Sequence, residues 1–357
     1  MSADEFEIIR SLFAPLATSA GARGLADDAA ILDGAGATVV TTDALVEGVH
    51  FLADDPLDTV AMKALRVNVS DLIGKGARPE SVLLTLIWPQ SRPASEIALF
   101  ADGLKRDLQL FGITLLGGDT TSTPGPLTVS ITAFGTPLGP RTPSRADAQI
   151  ADDVWLVGGE IGSAWLGLQL RSGRMSLVEL RRDRDEEAAL RDSRAMRDAM
   201  PDYLTLKGED FDAEAAWLMT TYLAPFVRTE AAAIVSRYAN ASMDVSDGLV
   251  GDAAKLAAAS GVAIKIEANA IPFSIPAERW AFSGGDFRKL ITGGDDYVVL
   301  FTAPDAHREA ILGMDPDHSL RLTRIGRVEE GEGVAVLDRS GKPLPIEAES
   351  YSHKLGR

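Results

Sequence analysis

The chain has 357 residues, 46% hydrophobic and 24% charged, ordinary globular usage but more length than one core commonly serves, so two domains are expected. Its 52 Asp and Glu against 35 Lys and Arg give a net charge of −17, which argues against nucleic acid as a partner. The absence of cysteine excludes disulfides, thiolate metal sites and thiol nucleophiles, and with no membrane-spanning apolar run and no signal-like N-terminus the expected address is cytoplasmic, with no membrane partner.

In chain order, Met1–Phe13 reads as an acidic amphipathic helix with Phe6, Ile9, Leu12 and Phe13 on one face. Ala37–Thr42 is rich in β-branched residues and reads as a strand, and Thr59–Ile73 carries a helical apolar pattern. Ser81–Trp88 reads as a buried strand stopped by Pro89, Ala94–Leu110 as an amphipathic helix, and Ile113–Leu116 and Leu127–Phe134 as further strands. The proline-rich Pro137–Pro143 suits a linker, dividing a domain over 1–138 from one over 144–357. Beyond it come a strand at Val154–Val157, Gly158, Gly159 and Gly162 before a helix, and a highly charged stretch at about 175–215 that reads as an exposed helical insertion. Regular structure resumes with helices at Thr229–Tyr238 and Leu249–Ala259 and strands at Ser242–Val245, Val262–Glu267 and Tyr297–Phe301. This mixture fits a two-domain α/β protein in α+β layers better than a doubly wound sheet.

Position is the informative property of the aspartates. Asp28, Asp43, Asp71, Asp119, Asp247 and Asp295 fall where strands end or turns begin, or near a helix terminus, each close to a glycine or a hydroxyl residue. Hard divalent cations take carboxylate oxygens from separate loops, and neighbouring glycines let backbone approach a phosphate. Asp also caps turns, which explains any one of these positions equally well. No Walker A sequence, H-E-x-x-H pair or G-x-S-x-G elbow is present, and the Gly158–Gly162 spacing is not the dinucleotide fingerprint.

The ordered set GLADDAA, TTDALVEGVHF, KALRVNVSDLIGKGARP, LLGGDTT, MDVSDGL and GGDDYVVLF resembles the bacterial thiamine-monophosphate kinases, a branch of the superfamily typified by aminoimidazole ribonucleotide synthetase. The resemblance implies two α/β domains, a homodimer through the N-terminal sheets, and transfer of the ATP γ-phosphoryl group to thiamine monophosphate with several magnesium ions. It places Asp28, Thr41, Thr42, Asp43, Asp71, Asp119, Asp244 and Asp247 on metal, Gly118, Asp119, Arg145 and Ser246 on ATP, and His50, Asp295 and Tyr351 on thiamine monophosphate. The family commonly carries Glu where this chain has Asp295, its R-S-G-A-x-x-G-D stretch reads here as Arg145-Ala-Asp-Ala-Gln-Ile-Ala-Asp152, and the 175–215 segment is longer than usual. A phosphate acceptor is already largely ionised near neutral pH, its second pKa being about 6, so no catalytic general base is assigned. Two other readings share part of this logic: a sister enzyme of the superfamily, and a non-enzymatic divalent-cation binder. Selenophosphate synthetase is disfavoured by the missing cysteine.

Overall fold

The computed structural model describes residues 3–4, 14, 20–32, 36–180, 213–346 and 354–355. Strand β1 (Ala3–Asp4) pairs antiparallel with Lys354–Leu355 near the other end of the chain. The rest of the helix expected over Met1–Phe13 lies outside the described residues, as does most of the charged insertion, of which 181–212 are not described.

The first half runs β2 (Ala30–Leu32), β3 (Thr38–Val46), α1 (Leu57–Gly74), β4 (Ala77–Pro89), α2 (Ile97–Phe111), β5 (Thr114–Thr123) and β6 (Thr128–Pro137). Its five strands lie in the order β2-β3-β6-β4-β5, antiparallel except for β4 and β5, which the crossover through α2 makes parallel. Three strands outrun their sequence signals. β3 continues to Val46, so Asp43 stands in mid-strand rather than at a strand end. β4 starts at Ala77, and its burial alternates because α1 covers one face only, leaving Leu83 39% exposed on the other. β5 continues through Gly117, Gly118 and Asp119, pairing Gly118 with Leu84. That pairing requires glycine: a Cβ at Gly118 would stand 1.7 Å from the Leu84 carbonyl oxygen.

Helix α1 follows Pro56, a residue suited to a helix start, and ends before Gly76, whose φ of +65° suits glycine. Every residue in it except Asp58 is buried. The cause is tertiary: α1 packs on β3, β4 and β6 on one side and on strands and helices of the second half on the other. Full burial of side chains such as Leu65, Leu72 and Ile73 contributes about 1.5–3 kcal/mol each.

The second half comprises β7 (Asp152–Val157), α3 (Ser163–Arg171), α4 (Leu177–Leu180), α5 (Ala213–Leu223), α6 (Ala231–Tyr238), β8 (Ala241–Asp244), α7 (Leu249–Ser260), β9 (Ala263–Glu267), α8 (Ile275–Phe282), α9 (Arg288–Thr292), β10 (Val299–Pro304), α10 (Arg308–Leu312), β11 (Thr323–Glu329) and β12 (Gly333–Leu337). Its sheet has the order β12-β9-β11-β7-β10-β8, parallel only between β12 and β9. Both faces are covered. Trp155, Val157, Val299 and Phe301 join the core around α1, while Val154, Leu156, Ile264 and Leu300 pack on the side of α7. The described flanks of the charged insertion differ: Ser176–Glu179 are exposed, as expected, and lead through α4, whereas Ala213–Ala216 are buried because α5 packs on α3. The strand expected from Tyr297 begins at Val299, since Asp295 (φ +72°) and Tyr297 (φ +51°) are in the left-handed region and break the extended run. Among the described residues no helix is long and apolar enough to cross a membrane.

Candidate functional site

A cleft of about 740 Å³, large enough for a small ligand, opens where the two halves meet. The first half lines it with Asp28, Thr41, Thr42, Asp43, His50 and Asp71, and the second with Arg145, Asp244, Ser246, Asp247 and Asp295. Residues spread over more than 260 positions are thus brought to one place. β3 supplies Thr41 and Asp43 from its inner face, α1 supplies Asp71 near its C-terminus, and β8 ends on Asp244.

Asp71 is the centre of one end. Thr41 Oγ1 donates to Asp71 Oδ2 at 2.5 Å, and Asn68 Oδ1 accepts from the Asp43 N–H at 3.1 Å, tying β3 to α1. Burial holds the Asp71 carboxyl well above its ordinary pKa, and the charges of Asp244 and Asp43 add to that. Asp244 is pushed to about 7 by burial and then by Asp252 and Asp43. Asp43 opens to solvent through the cleft mouth but is hemmed in on its other sides, and that enclosure, with the charge of Asp247, raises it too. Among the described residues, no Lys or Arg forms an ion pair with Asp43, Asp71 or Asp244.

The neighbouring corner is different. Asp28 pairs with Arg145 and, at 2.9 Å, with Lys75 Nζ. Asp27 pairs with Lys75 at 2.7 Å and with Arg23. Burial would raise the Asp27 pKa, but these cations outweigh it and hold the carboxyl below its ordinary range. On the opposite wall Asp247 pairs with Lys255, and Asp252 accepts the N–H groups of Ser246 and Asp247 at 2.9 Å each, fixing the loop that enters α7.

At the far end Asp295 accepts from Lys63 Nζ at 2.9 Å and from the Tyr297 hydroxyl at 3.1 Å. Lys63 also donates to the His50 carbonyl at 3.1 Å and lies over the Tyr222 ring, 4.2 Å from its centroid. The Val46 N–H donates to His50 Nδ1 at 3.0 Å, which places the ring proton on Nε2. The Asp295 N–H donates to the Ser246 carbonyl at 2.8 Å, so the two loops that line opposite ends of the cleft are clamped together. Gly294 makes the clamp possible, since a Cβ there would be 2.3 Å from the Ser246 oxygen.

Two of the expected residues stand apart. Gly118 and Asp119 lie on the exposed edge strand β5 and do not line this cleft, and Tyr351 lies outside the described residues. Other charged groups have no role assigned from the sequence: Asp27, noted only as the neighbour of Asp28, and Lys63, Lys75, Asp252 and Lys255. A signal for two of them was present, because Lys63, Val67, Asp71 and Lys75 recur every four residues and so share one face of α1.

Among the described residues no three carboxylate or imidazole groups converge as a ready-made metal cage. The donor set still fits a hard divalent cation: Asp43, Asp71 and Asp244 are oxygen donors with like charges that crowd one another and no fixed cation in contact. Magnesium characteristically uses a few carboxylates and completes its shell with water and substrate phosphate.

The models for AIR synthase related proteins match this chain in both halves, the N-terminal domain over residues 26–136 and the C-terminal domain over residues 208–339. The thiamine-monophosphate kinase of Caulobacter vibrioides is 34% identical over 338 residues, 93% of this chain and 86% of that protein. That of Aquifex aeolicus is 31% identical over 85% of this chain and 86% of its own length. The solved structure of AaThiL complexed with AMPPCP and TMP matches with a TM-score of 0.77 at 30% identity, covering 98% of this chain and 97% of that one. Hydrogenase maturation protein HypE in complex with ATP matches at a TM-score of 0.65 and 16% identity over 97% of this chain and 95% of its own, a likeness of fold.

Proposed function

Because the chain belongs to the AIR synthase related proteins and, among them, to the thiamine-monophosphate kinases, we propose that the interdomain cleft is where its two substrates meet. The chain is an ATP-dependent phosphotransferase: it passes the γ-phosphoryl group of ATP to thiamine monophosphate, giving thiamine diphosphate and ADP. The carrying observation is the opposition of two chemistries in one cleft, a carboxylate cluster at Asp43, Asp71 and Asp244 that no described Lys or Arg ion-pairs and an Asp295–Lys63–Tyr297 group clamped to it through Ser246.

Two anions cannot approach one another in an acidic cleft unless their charge is offset. Asp43, Asp71 and Asp244 would hold magnesium, with Thr41, Thr42 and Asp247 beside them; when bound, the metal neutralises and aligns the phosphoryl oxygens for in-line transfer. Arg145 and Ser246 face the nucleotide, and Arg145 reaches its phosphates by leaving Asp28. Asp295 and His50 receive the thiamine end, the carboxylate attracting the thiazolium cation and accepting from the aminopyrimidine. Lys63 and Tyr297 hold Asp295 in place, and the acceptor phosphate needs no general base because its second pKa is about 6. A homodimer through the outer face of the first sheet, where Leu83 is exposed, and a cytoplasmic address complete the reading.

The test is chemical. Incubation with ATP and magnesium is expected to convert thiamine monophosphate to thiamine diphosphate and to leave unphosphorylated thiamine unchanged. Turnover of thiamine with none of the monophosphate would overturn the reading.

A further inference from the structure

We propose that Lys75 is a resident cation of the phosphate site: its ammonium, buried between Asp27 and Asp28, neutralises that corner of the cleft in place of a divalent ion. The inference rests on the kinase reading above and divides the aspartates into two groups that the motif pattern alone treats alike.

Lys75 is the residue just past α1, and its side chain is fully buried. Its Nζ donates to Asp27 Oδ1 and to the Ser242 carbonyl, both at 2.7 Å, and lies 2.9 Å from Asp28 Oδ2. The Asp28 oxygen accepts no hydrogen bond from any described residue, so the ammonium is its counter-charge. With Arg23 on Asp27 and Arg145 on Asp28, this corner sets three cations against two carboxylates. The adjoining corner of Asp43, Asp71 and Asp244 has no ion-pair partner among the described residues.

A divalent ion arriving at Asp28 would meet the Lys75 ammonium on the same carboxylate. That ammonium cannot swing aside, because it is buried and bonded to backbone of β8. A divalent ion arriving at the other corner meets carboxylates that no described lysine or arginine ion-pairs. Asp28 is therefore a counter-ion of Lys75 and Arg145 rather than a metal ligand. When Arg145 turns to a nucleotide phosphate, Lys75 still neutralises Asp28.

Manganese alone, titrated into the full chain and counted by electron paramagnetic resonance, separates the two groups. Asp28→Asn is expected to keep the wild-type number of bound ions with affinity within about threefold, whereas Asp71→Asn weakens binding tenfold or more. Lys75→Met leaves Asp27 and Asp28 without their shared cation, so it is expected to melt lower in EDTA, to gain one bound manganese, and to show a larger manganese-induced rise in Tm than wild type. Loss of an ion in Asp28→Asn would overturn the role of Lys75, as would a Lys75→Met protein with wild-type stoichiometry and an unchanged Tm response. Should Lys75→Met fail to fold without metal, the Asp28→Asn count decides alone. If Asp71→Asn binds manganese normally, the metal assignment of the kinase reading fails instead, and the Asp28→Asn count still judges Lys75 separately.

Discussion

Asp295→Ala should damage stability and substrate binding together, because this carboxylate both anchors a buried lysine and faces the cleft. Lys63 is 2% exposed and Asp295 28% exposed, with 2.9 Å between the charged atoms. Removing one partner of a fully buried pair costs about 3–5 kcal/mol. Here water reaches Asp295, and Lys63 keeps the His50 carbonyl and the Tyr222 ring, so the loss should fall to about 1–3 kcal/mol and lower Tm by several degrees. A hydrogen bond to a charged group is worth about 1.5–3 kcal/mol, so losing the contact to thiamine monophosphate should raise its KM by about 10- to 150-fold. The KM for ATP should move by less than about threefold, because the Asp295 N–H to Ser246 bond belongs to the backbone and survives. Asp295→Asn keeps an acceptor for Lys63 and tolerates the left-handed φ of +72°, so it should recover most of the Tm while leaving the KM for thiamine monophosphate raised. Steady-state kinetics with each substrate varied in turn, beside thermal melts, read all four quantities. A lower Tm with both KM values unchanged would mean that Asp295 only anchors Lys63, and an equal rise in both would detach it from the thiamine end.

Asp71→Asn should reduce turnover by more than about 100-fold through the loss of a charged magnesium ligand, yet leave the metal-free Tm equal or higher, because Asp43 and Asp244 no longer face a third like charge; a lower Tm with near-normal turnover would contradict the assignment. In the second sheet, burial pushes the Asp153 carboxyl up, but Arg308 and Arg324, at 2.8 and 2.7 Å, outweigh it and hold its pKa below 3.8. Its stabilisation is thus present above that value and lost as pH falls through the depressed folded pKa. Asp153→Asn should cost about 1–2 kcal/mol at pH 7, since both arginines are partly wet, with the gap in Tm closing as pH falls below the ordinary carboxylate range; a gap that stays constant through that fall would exclude the ion pairs as its cause. For assembly, light scattering at micromolar concentration should return a dimer mass, and Leu83→Arg, which places a charge on the exposed face of the first sheet, should shift it toward monomer; a monomeric wild type would count against that interface.

Elements with local signals were legible without tertiary information. The apolar repeat of Thr59–Ile73 became α1 within two residues, and the β-branched run before Asp43 became β3. Element ends were not legible where pairing decided them: β5 runs through Gly117 and Gly118 because β4 lies alongside, and β10 starts late because two left-handed residues precede it. β11 and β12 were not foreseen.

The same division holds for the site. Motif order along the chain, through its family resemblance, pointed to aspartates flanked by glycine and hydroxyls as the groups for a cation and phosphate, and eleven of the expected residues do line one cleft. What no linear pattern contains is the charge state of each. Asp28 and Asp71 look alike in sequence, but one is ion-paired with Lys75, across 47 positions, and the other forms no ion pair with a described Lys or Arg. Asp295 finds Lys63 across 232 positions. Electrostatic energy depends on distance through space and on exclusion of water, and both are set only when α1 is enclosed between the two sheets.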